Sequence, residues 1–321
     1  MPASRVTIVI PGDEPPQLQG SPHLERLKQL AEVILYADRP LSLEEKVRRL
    51  QGADCLLNSR GAVKWPREAL ARLPRLKMIS VCGIGTDAID LTYAKERGII
   101  VSNIPGRTAS IVAEHALALL FAVARRAWYQ THELKQGRWS RLDNVFLNGK
   151  TLGIIGMGSI GAAMARLGRA IGMNVLAWTF NPTDARAAEL GVPFVSLEAL
   201  LRGSDALSIH VKLTEQSRHL IDARAISLMK RGALFVNTAR AGVVDTAALV
   251  AALRSGHLGG AGLDVFDEEP LPPNHPLLSC DHVVLTPHNA DQTSEGMDIL
   301  NGGAVDNVIA YLEGRPQNQV V

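Results

Sequence analysis

Leu152-Gly153-Ile154-Ile155-Gly156-Met157-Gly158-Ser159-Ile160-Gly161 is the stretch on which the fold turns. A short apolar run leads into three glycines spaced G-x-G-x-x-G, and helical spacing then continues over residues 160–171. Strand, turn and helix in this order are the context that a dinucleotide fingerprint requires. Gly156 permits the tight turn, Gly158 lets a pyrophosphate approach the backbone, and Gly161 allows the helix to pack closely on its strand. Ser159 and Ile160 open the helix, whose N-terminus faces the phosphates with its unpaired N–H groups. A tight β-to-α turn without ligand is the alternative. A second strand at the expected distance, residues 174–178, favours the nucleotide.

Outward from this turn the pattern recurs. Further apolar runs at residues 206–210, 234–237, 260–264 and 283–286 scarcely alternate, as strands buried on both faces do. The first hundred residues carry a separate series, with strands read at 6–10, 32–36, 54–57, 78–82 and 99–102 and helical spacing at 43–50 and 66–73. This alternation predicts an α/β protein with largely parallel sheets and right-handed crossovers. Between the two series, residues 108–127 are helical and apolar around nearly the whole cylinder, which predicts burial on most faces, between domains or subunits. A last helix covers about residues 294–312 and is ended by Pro316.

With 321 residues, 46% of them apolar, the chain can bury a core in each of two domains of ordinary size. Its formal charge of +2 comes from nearly balanced acids and bases, with no like-charged run suited to a phosphate backbone, so nucleic acid is not an expected partner. Cys55, Cys82 and Cys280 cannot make a complete set of disulfides and lack CxxC spacing; no metal is expected, and a reducing cytoplasm fits. Met1-Pro2-Ala3-Ser4-Arg5 leads into an apolar run too short for a signal-peptide core or a membrane span. The longest later run, residues 116–124, is bracketed by His115 and Arg125 and reads as a buried helix, so no membrane role is expected.

An NAD site usually places an acid about 20 residues beyond the glycine turn, on the adenosine ribose. Here that place reads Trp178-Thr179-Phe180-Asn181-Pro182, and the first acid is Asp184. Nothing there repels a 2′-phosphate. Thr179 and Asn181 can donate to one, and the reading leans to NADP over NAD; Arg186, on the following helix, either reaches that phosphate or lies in solvent, and the second is favoured.

Three polar residues lie further downstream: Arg240 in Asn237-Thr238-Ala239-Arg240, Glu269 in Asp267-Glu268-Glu269-Pro270, and His288 in Thr286-Pro287-His288-Asn289. A guanidinium binds a carboxylate through two parallel bonds, a histidine exchanges protons near neutral pH, and a carboxylate can orient that histidine. Below a nucleotide turn, the three suggest hydride transfer on a 2-oxo acid.

With Val81-Cys82-Gly83-Ile84-Gly85-Thr86-Asp87, Ala113-Glu114-His115-Ala116-Leu117, the run from Asn237 to Asp245 and the run from Gly262 to Pro270, the sequence resembles the D-isomer-specific 2-hydroxyacid dehydrogenase family over essentially its entire length. The family includes glyoxylate and hydroxypyruvate reductases, phosphoglycerate dehydrogenase and D-lactate dehydrogenase. The resemblance implies a Rossmann doubly wound cofactor domain, residues 103–289, and a discontinuous flavodoxin-like α/β substrate domain, residues 1–102 and 290–321, closing on a small 2-oxo acid. It implies Arg240 as carboxylate clamp, His288 as proton donor and acceptor, and Glu269 as its orienting partner. Gly83 and Ile84 would offer backbone N–H groups to the substrate, with Arg60 also shaping its pocket. His210, Thr238 and Asp264 would join the cofactor site, Asp264 on the nicotinamide carboxamide. A homodimer is implied through the helix at 108–127.

Two rivals remain open on the sequence: a formate dehydrogenase, whose histidine partner is glutamine in the family and is disfavoured by Glu269, and a dinucleotide-sensing corepressor, which usually carries long disordered extensions. Lys212, Ala241 and Asn289 depart from residues common in the family and leave the substrate undetermined.

Overall fold

The computed structural model describes residues 5–61 and 63–321, so the opening Met1-Pro2-Ala3-Ser4 lies outside the described residues. The chain divides into two compact units, Met1–Thr108 with Gln292–Val321, and Ala109–Asp291.

In the first unit, β1 (Thr7–Ile10), β2 (Glu32–Leu35), β3 (Cys55–Ser59), β4 (Met78–Cys82) and β5 (Ile100–Ser102) pair in parallel in the order β2-β1-β3-β4-β5. This is the flavodoxin-like order, whose winding reverses at β1. β3 and β4 are buried at every position. The C-terminal helix Ser294–Leu312 explains one covered face: Leu300, Ala304 and Val308, four residues apart, pack with Ile8, Leu57 and Met78. Burial of Leu300 and Val308 contributes about 1.5–3 kcal/mol each, and of Ala304 less, which binds the end of the chain to its first sheet. The helix expected over residues 66–73 shrinks to Arg67–Leu70. Pro66 supplies no side-chain cap, and Pro74 disfavours helical backbone at Leu73.

The second unit holds β6 (Thr151–Ile155), β7 (Asn174–Trp178), β8 (Ala206–Ile209), β9 (Ala233–Asn237), β10 (Leu258–Leu263) and β11 (Val283–Leu285). They are parallel throughout, in the order β11-β10-β9-β8-β6-β7. A single residue, Phe194, bridges Ala177 on the outer side of β7. Counting that bridge as a strand restores the doubly wound order, reversing at β6. Pro193 just before it limits it to an edge contact.

The helix Ala109–Ala124 packs across β9, β10 and β11. Two glycines make room for it: a Cβ on Gly260 would stand 2.7 Å from Val123 and one on Gly262 2.8 Å from Leu119. Burial is less complete than the sequence predicts, because Glu114, Ala118, Phe121 and Arg125 form an exposed stripe. Trp139 and Phe146 beyond it are 79% and 70% exposed. The apolar surround therefore has two causes, one face meeting the sheet and the other left open in the single chain. Among the described residues no helix is long and apolar enough to cross a membrane.

Candidate active site

Because β6 to β11 are all parallel, every loop that follows a strand emerges on one edge of the second sheet. The glycine turn follows β6, Thr179 and Asn181 follow β7, His210 follows β8, Thr238 and Arg240 follow β9, Asp264 follows β10, and His288 follows β11. Residues spread over 130 positions are thus gathered by topology alone, at the edge where open α/β sheets bind ligands.

The three glycines of the turn have different reasons to be glycine. Gly156 lies at φ +95, and a Cβ there would stand 2.7 Å from the carbonyl oxygen of His210. A Cβ on Gly161 would fall 1.9 Å from the carbonyl oxygen of Gly156, so the helix Ser159–Ala170 could not seat against β6. Above Gly158 nothing of the protein lies within 4 Å, and the residue gives the helix no side-chain cap. Its bareness serves no internal packing, as a close-approaching phosphate requires. Three polar atoms on the same edge, Nδ1 of His210, Oγ1 of Thr238 and Oδ1 of Asn289, are buried and have no hydrogen-bond partner. Each costs about 1–3 kcal/mol unless something supplies the bond. A dinucleotide, with its many donors and acceptors, fits these residues. Among the described residues no cluster suits a metal ion.

His210 also accounts for its own charge state. Its Nε2 pairs with Oγ of Ser208 at 2.8 Å, and burial pushes the imidazole down to about 4. It is neutral at physiological pH.

Asn237 ends β9 and shapes the turn that presents Arg240. Its amide donates to the carbonyl of Arg240 at 3.0 Å while its Oδ1 accepts from the N–H of Ala239 at 2.9 Å, an Asx-type turn. Arg240 in turn donates from Nη1 to the carbonyl of Ala239 at 2.7 Å. Nδ1 of His288 meets Oε2 of Glu269 at 2.7 Å, and Oε1 of Glu269 accepts the N–H of Phe266 at 3.0 Å. Burial raises the Glu269 carboxyl, but the bond and charge of His288, the Phe266 N–H and the charge of Arg240 outweigh it and hold it below the usual carboxylate range. Glu269 thus feels the charges of both His288 and Arg240.

Asp264 is the most enclosed group of the site. Oδ1 accepts from Oγ1 of Thr286 at 2.6 Å and from the N–H of Asn289 at 3.0 Å; Oδ2 accepts from the N–H of Ala290 at 3.0 Å. Nε2 of His115 lies 2.9 Å from Oγ1 of Thr286 and 3.5 Å from Oδ1. Burial alone would raise this carboxyl, and bonds from His115, Thr286 and Asn289 hold it below its ordinary value. Asn237, Thr286 and His115 had no task in the sequence reading. Only Asn237 carried a signal, an Asn at a strand end before a turn.

Arg186 is exposed on the helix Asp184–Leu190, as the sequence favours, and also donates from Nη2 to the carbonyl of Met157 in the glycine turn.

In the first unit, Arg60 and Gly83 stand at the carboxyl ends of the paired strands β3 and β4. Arg60 holds φ +50 and reaches Sδ of Met297 at 3.9 Å. Gly83 has open space where a Cβ would sit, but its N–H turns back to the carbonyl of Val81 at 2.9 Å. The two N–H groups expected of this loop are therefore not equivalent, because the sharp turn at Gly83 draws one inward. The carbonyl of Ile84 is held by Nδ2 of Asn103 at 2.6 Å.

Residues 117–290 match the family model described as D-isomer specific 2-hydroxyacid dehydrogenase, NAD binding domain. A glyoxylate reductase of Aeropyrum pernix is 43% identical over 263 residues, 79% of this chain and 78% of that protein. A hydroxypyruvate reductase of Thermotoga maritima is 41% identical over 276 residues, 85% of this chain and 89% of that one. The crystal structure of a glyoxylate reductase from Paecilomyes thermophila has a TM-score of 0.87 at 30% identity, covering 100% of this chain and 99% of that one.

Proposed function

This chain belongs to the D-isomer-specific 2-hydroxyacid dehydrogenase family, an oxidoreductase with a nicotinamide dinucleotide site, and from that premise we propose that it reduces glyoxylate, hydroxypyruvate or a near relative to the D-2-hydroxy acid, with NADP(H) preferred. The observation that carries the reading is the 2.7 Å bond between Nδ1 of His288 and Oε2 of Glu269. With Nδ1 engaged, Nε2 is the ring nitrogen that gives a proton to the ketone oxygen, and takes it from the hydroxyl in reverse. Glu269, held below the usual carboxylate range, stays ionised at neutral pH and stabilises the imidazolium while fixing its orientation.

Arg240 binds the substrate carboxylate and polarises the ketone beside it; its backbone is fixed by Asn237 before substrate arrives. When bound, the dinucleotide supplies the hydride that the ketone carbon accepts. Gly156, Gly158, Ser159, Ile160 and Gly161 hold its pyrophosphate, and His210, Thr238 and Asp264 line the remainder. In the first unit Arg60, Gly83 and Ile84 are assigned to the substrate. An acid-free turn at Thr179 and Asn181, with the cation of Arg186 drawn to Met157, supports the 2′-phosphate of NADP. A carboxylate rather than an amide beside His288 disfavours formate oxidation.

A homodimer in a reducing cytoplasm completes the proposal. The exposed Phe121 and Phe146, which line one concavity with Arg125 and Val145, support association of two copies through this face, and Cys55, Cys82 and Cys280 are all buried. Size-exclusion chromatography tests the first point. The activity test follows NADPH and NADH oxidation separately against glyoxylate, hydroxypyruvate, pyruvate and phenylpyruvate. Turnover of glyoxylate or hydroxypyruvate, faster with NADPH, is expected. No turnover of any acid, or reduction of NAD by formate alone, would overturn it.

A further inference from the structure

We propose that Asp264, Thr286 and His115 form a positioning unit that fixes His288 through its backbone, with His115 as its outermost member. The inference rests on the catalytic role of His288 proposed above.

The hydrogen-bond directions follow from chemistry. A carboxylate only accepts, so Thr286 donates its hydroxyl proton to Oδ1 of Asp264, 2.6 Å away. The Thr286 oxygen is then the acceptor for His115, whose Nε2 must carry a proton at 2.9 Å. Asp264 thereby holds the residue two positions before His288. On the other flank, the N–H groups of Asn289 and Ala290 reach its two oxygens, each at 3.0 Å.

Between these anchors His288 sits at φ +50, with its N–H given to the carbonyl of Thr286 at 3.0 Å. A left-handed conformation is disfavoured for histidine and persists where the surroundings impose it. Asp264, with its side chain only 1% exposed, imposes it from both sides. Glu269 fixes the ring; Asp264 fixes the backbone from which the ring projects. Both are needed to hold Nε2 at one place, and a misplacement near 1 Å can cost on the order of a hundredfold in rate.

Thr286 and His115 are the discriminating positions, because Asp264 is also assigned to the dinucleotide. In the holoenzyme, Thr286→Val is expected to lower kcat by about tenfold or more with KM and dinucleotide Kd within about twofold of the native values. Thr286→Ser should restore kcat. His115→Ala should lower kcat in the same way, and His115→Gln, which keeps an N–H at similar reach, should recover it. Turnover is expressed per dinucleotide-binding site, so loss of folded protein alone does not count as loss of kcat.

An independent signature needs no substrate: the Nδ1–H proton resonance of His288 in histidine-labelled protein, assigned with His288→Asn. It should be present in the native protein and Thr286→Ser, and broadened in Thr286→Val. Equal kcat in Thr286→Val and native enzyme, equal impairment of the Val and Ser variants, or an unchanged resonance in Thr286→Val would each overturn the proposal. If the native protein reduces no 2-oxo acid, the functional reading fails while the resonance still decides the positioning.

Discussion

Glu269 and Asp264 both hold the loop that carries His288, Glu269 from a side chain 37% exposed and Asp264 from one 1% exposed. Around Glu269 water can deliver and remove protons, and a pair so exposed adds little to stability. Asp264 spends all its known bonds inside the protein, three of them on the loop itself. The difference shows proton chemistry and loop geometry assigned to separate carboxylates, one wet and one dry.

The largest effect expected from this division is on rate alone. His288→Gln should reduce turnover by about 10²–10⁴, the usual contribution of a general acid. The same variant should leave dinucleotide affinity and the urea midpoint unchanged, because the group lost is exposed. A large drop in stability would break the contrast between the two carboxylates.

Asp264→Ala should show the reverse emphasis. Removing the buried acceptor strands the Thr286 hydroxyl and two backbone N–H groups, and a loss of about 3 kcal/mol in urea unfolding is expected. Unfolding at native midpoint would show that water replaces the carboxylate and that the site is not dry.

A histidine, His210, extends the contrast to pH. His210, pushed down to about 4, is neutral when folded and has an ordinary value near 6.5 when unfolded. Below about pH 6.5 the unfolded chain therefore binds a proton that the folded chain refuses. Stability falls as pH drops from there to about 4 and then levels, a total of at most about 3 kcal/mol. His210→Gln should remove about 2 kcal/mol of the loss seen between pH 7 and pH 5. Equal losses in native protein and variant would mean that the ring is hydrated. Glu269 contributes in the usual carboxylate sense, favouring the fold above its ordinary value and ceasing to as pH falls through its lowered one; subtracting the two urea series cancels that part.

How far this division could be read from the sequence depends on the distance over which each signal acts. The eleven strands among the described residues were legible, the interior ones because a parallel strand buried on both faces is a nearly unbroken apolar run. The trio was legible because Arg240, Glu269 and His288 each follow such a run. The helix Ala127–Lys135 was not, because the preceding apolar helix ends at Ala124 and the chain turns at Arg126 in a left-handed conformation, φ +47, that no proline or glycine announces. Nor was the Asp264 unit. Its bonds join positions 115, 264 and 286, and nothing in the spacing of three strand and helix segments says that they meet. The bond from Arg186 to Met157 was hidden for another reason, since helix position fixes where Cβ points and not where the six side-chain atoms beyond it go.

Arg186 also supplies the smallest and most selective prediction. It resembles Glu269 in standing at the surface, so its charge should act on a ligand more than on the fold. Its bond to the carbonyl of Met157 sets the guanidinium beside the glycine turn, while no acid intervenes in the stretch from Thr179 to Thr183. Asp184, the nearest acid, lies in the first turn of the next helix, which Thr183 caps. Arg186→Ala should raise the KM for NADPH about tenfold, or about 1.4 kcal/mol, and leave that for NADH within about twofold. The NADPH preference of the native enzyme should weaken with added salt, as an exposed charge pair does, and that dependence should vanish in the variant. Equal weakening of both dinucleotides would instead assign Arg186 to bracing the turn, and the selectivity would then rest on Thr179 and Asn181 alone.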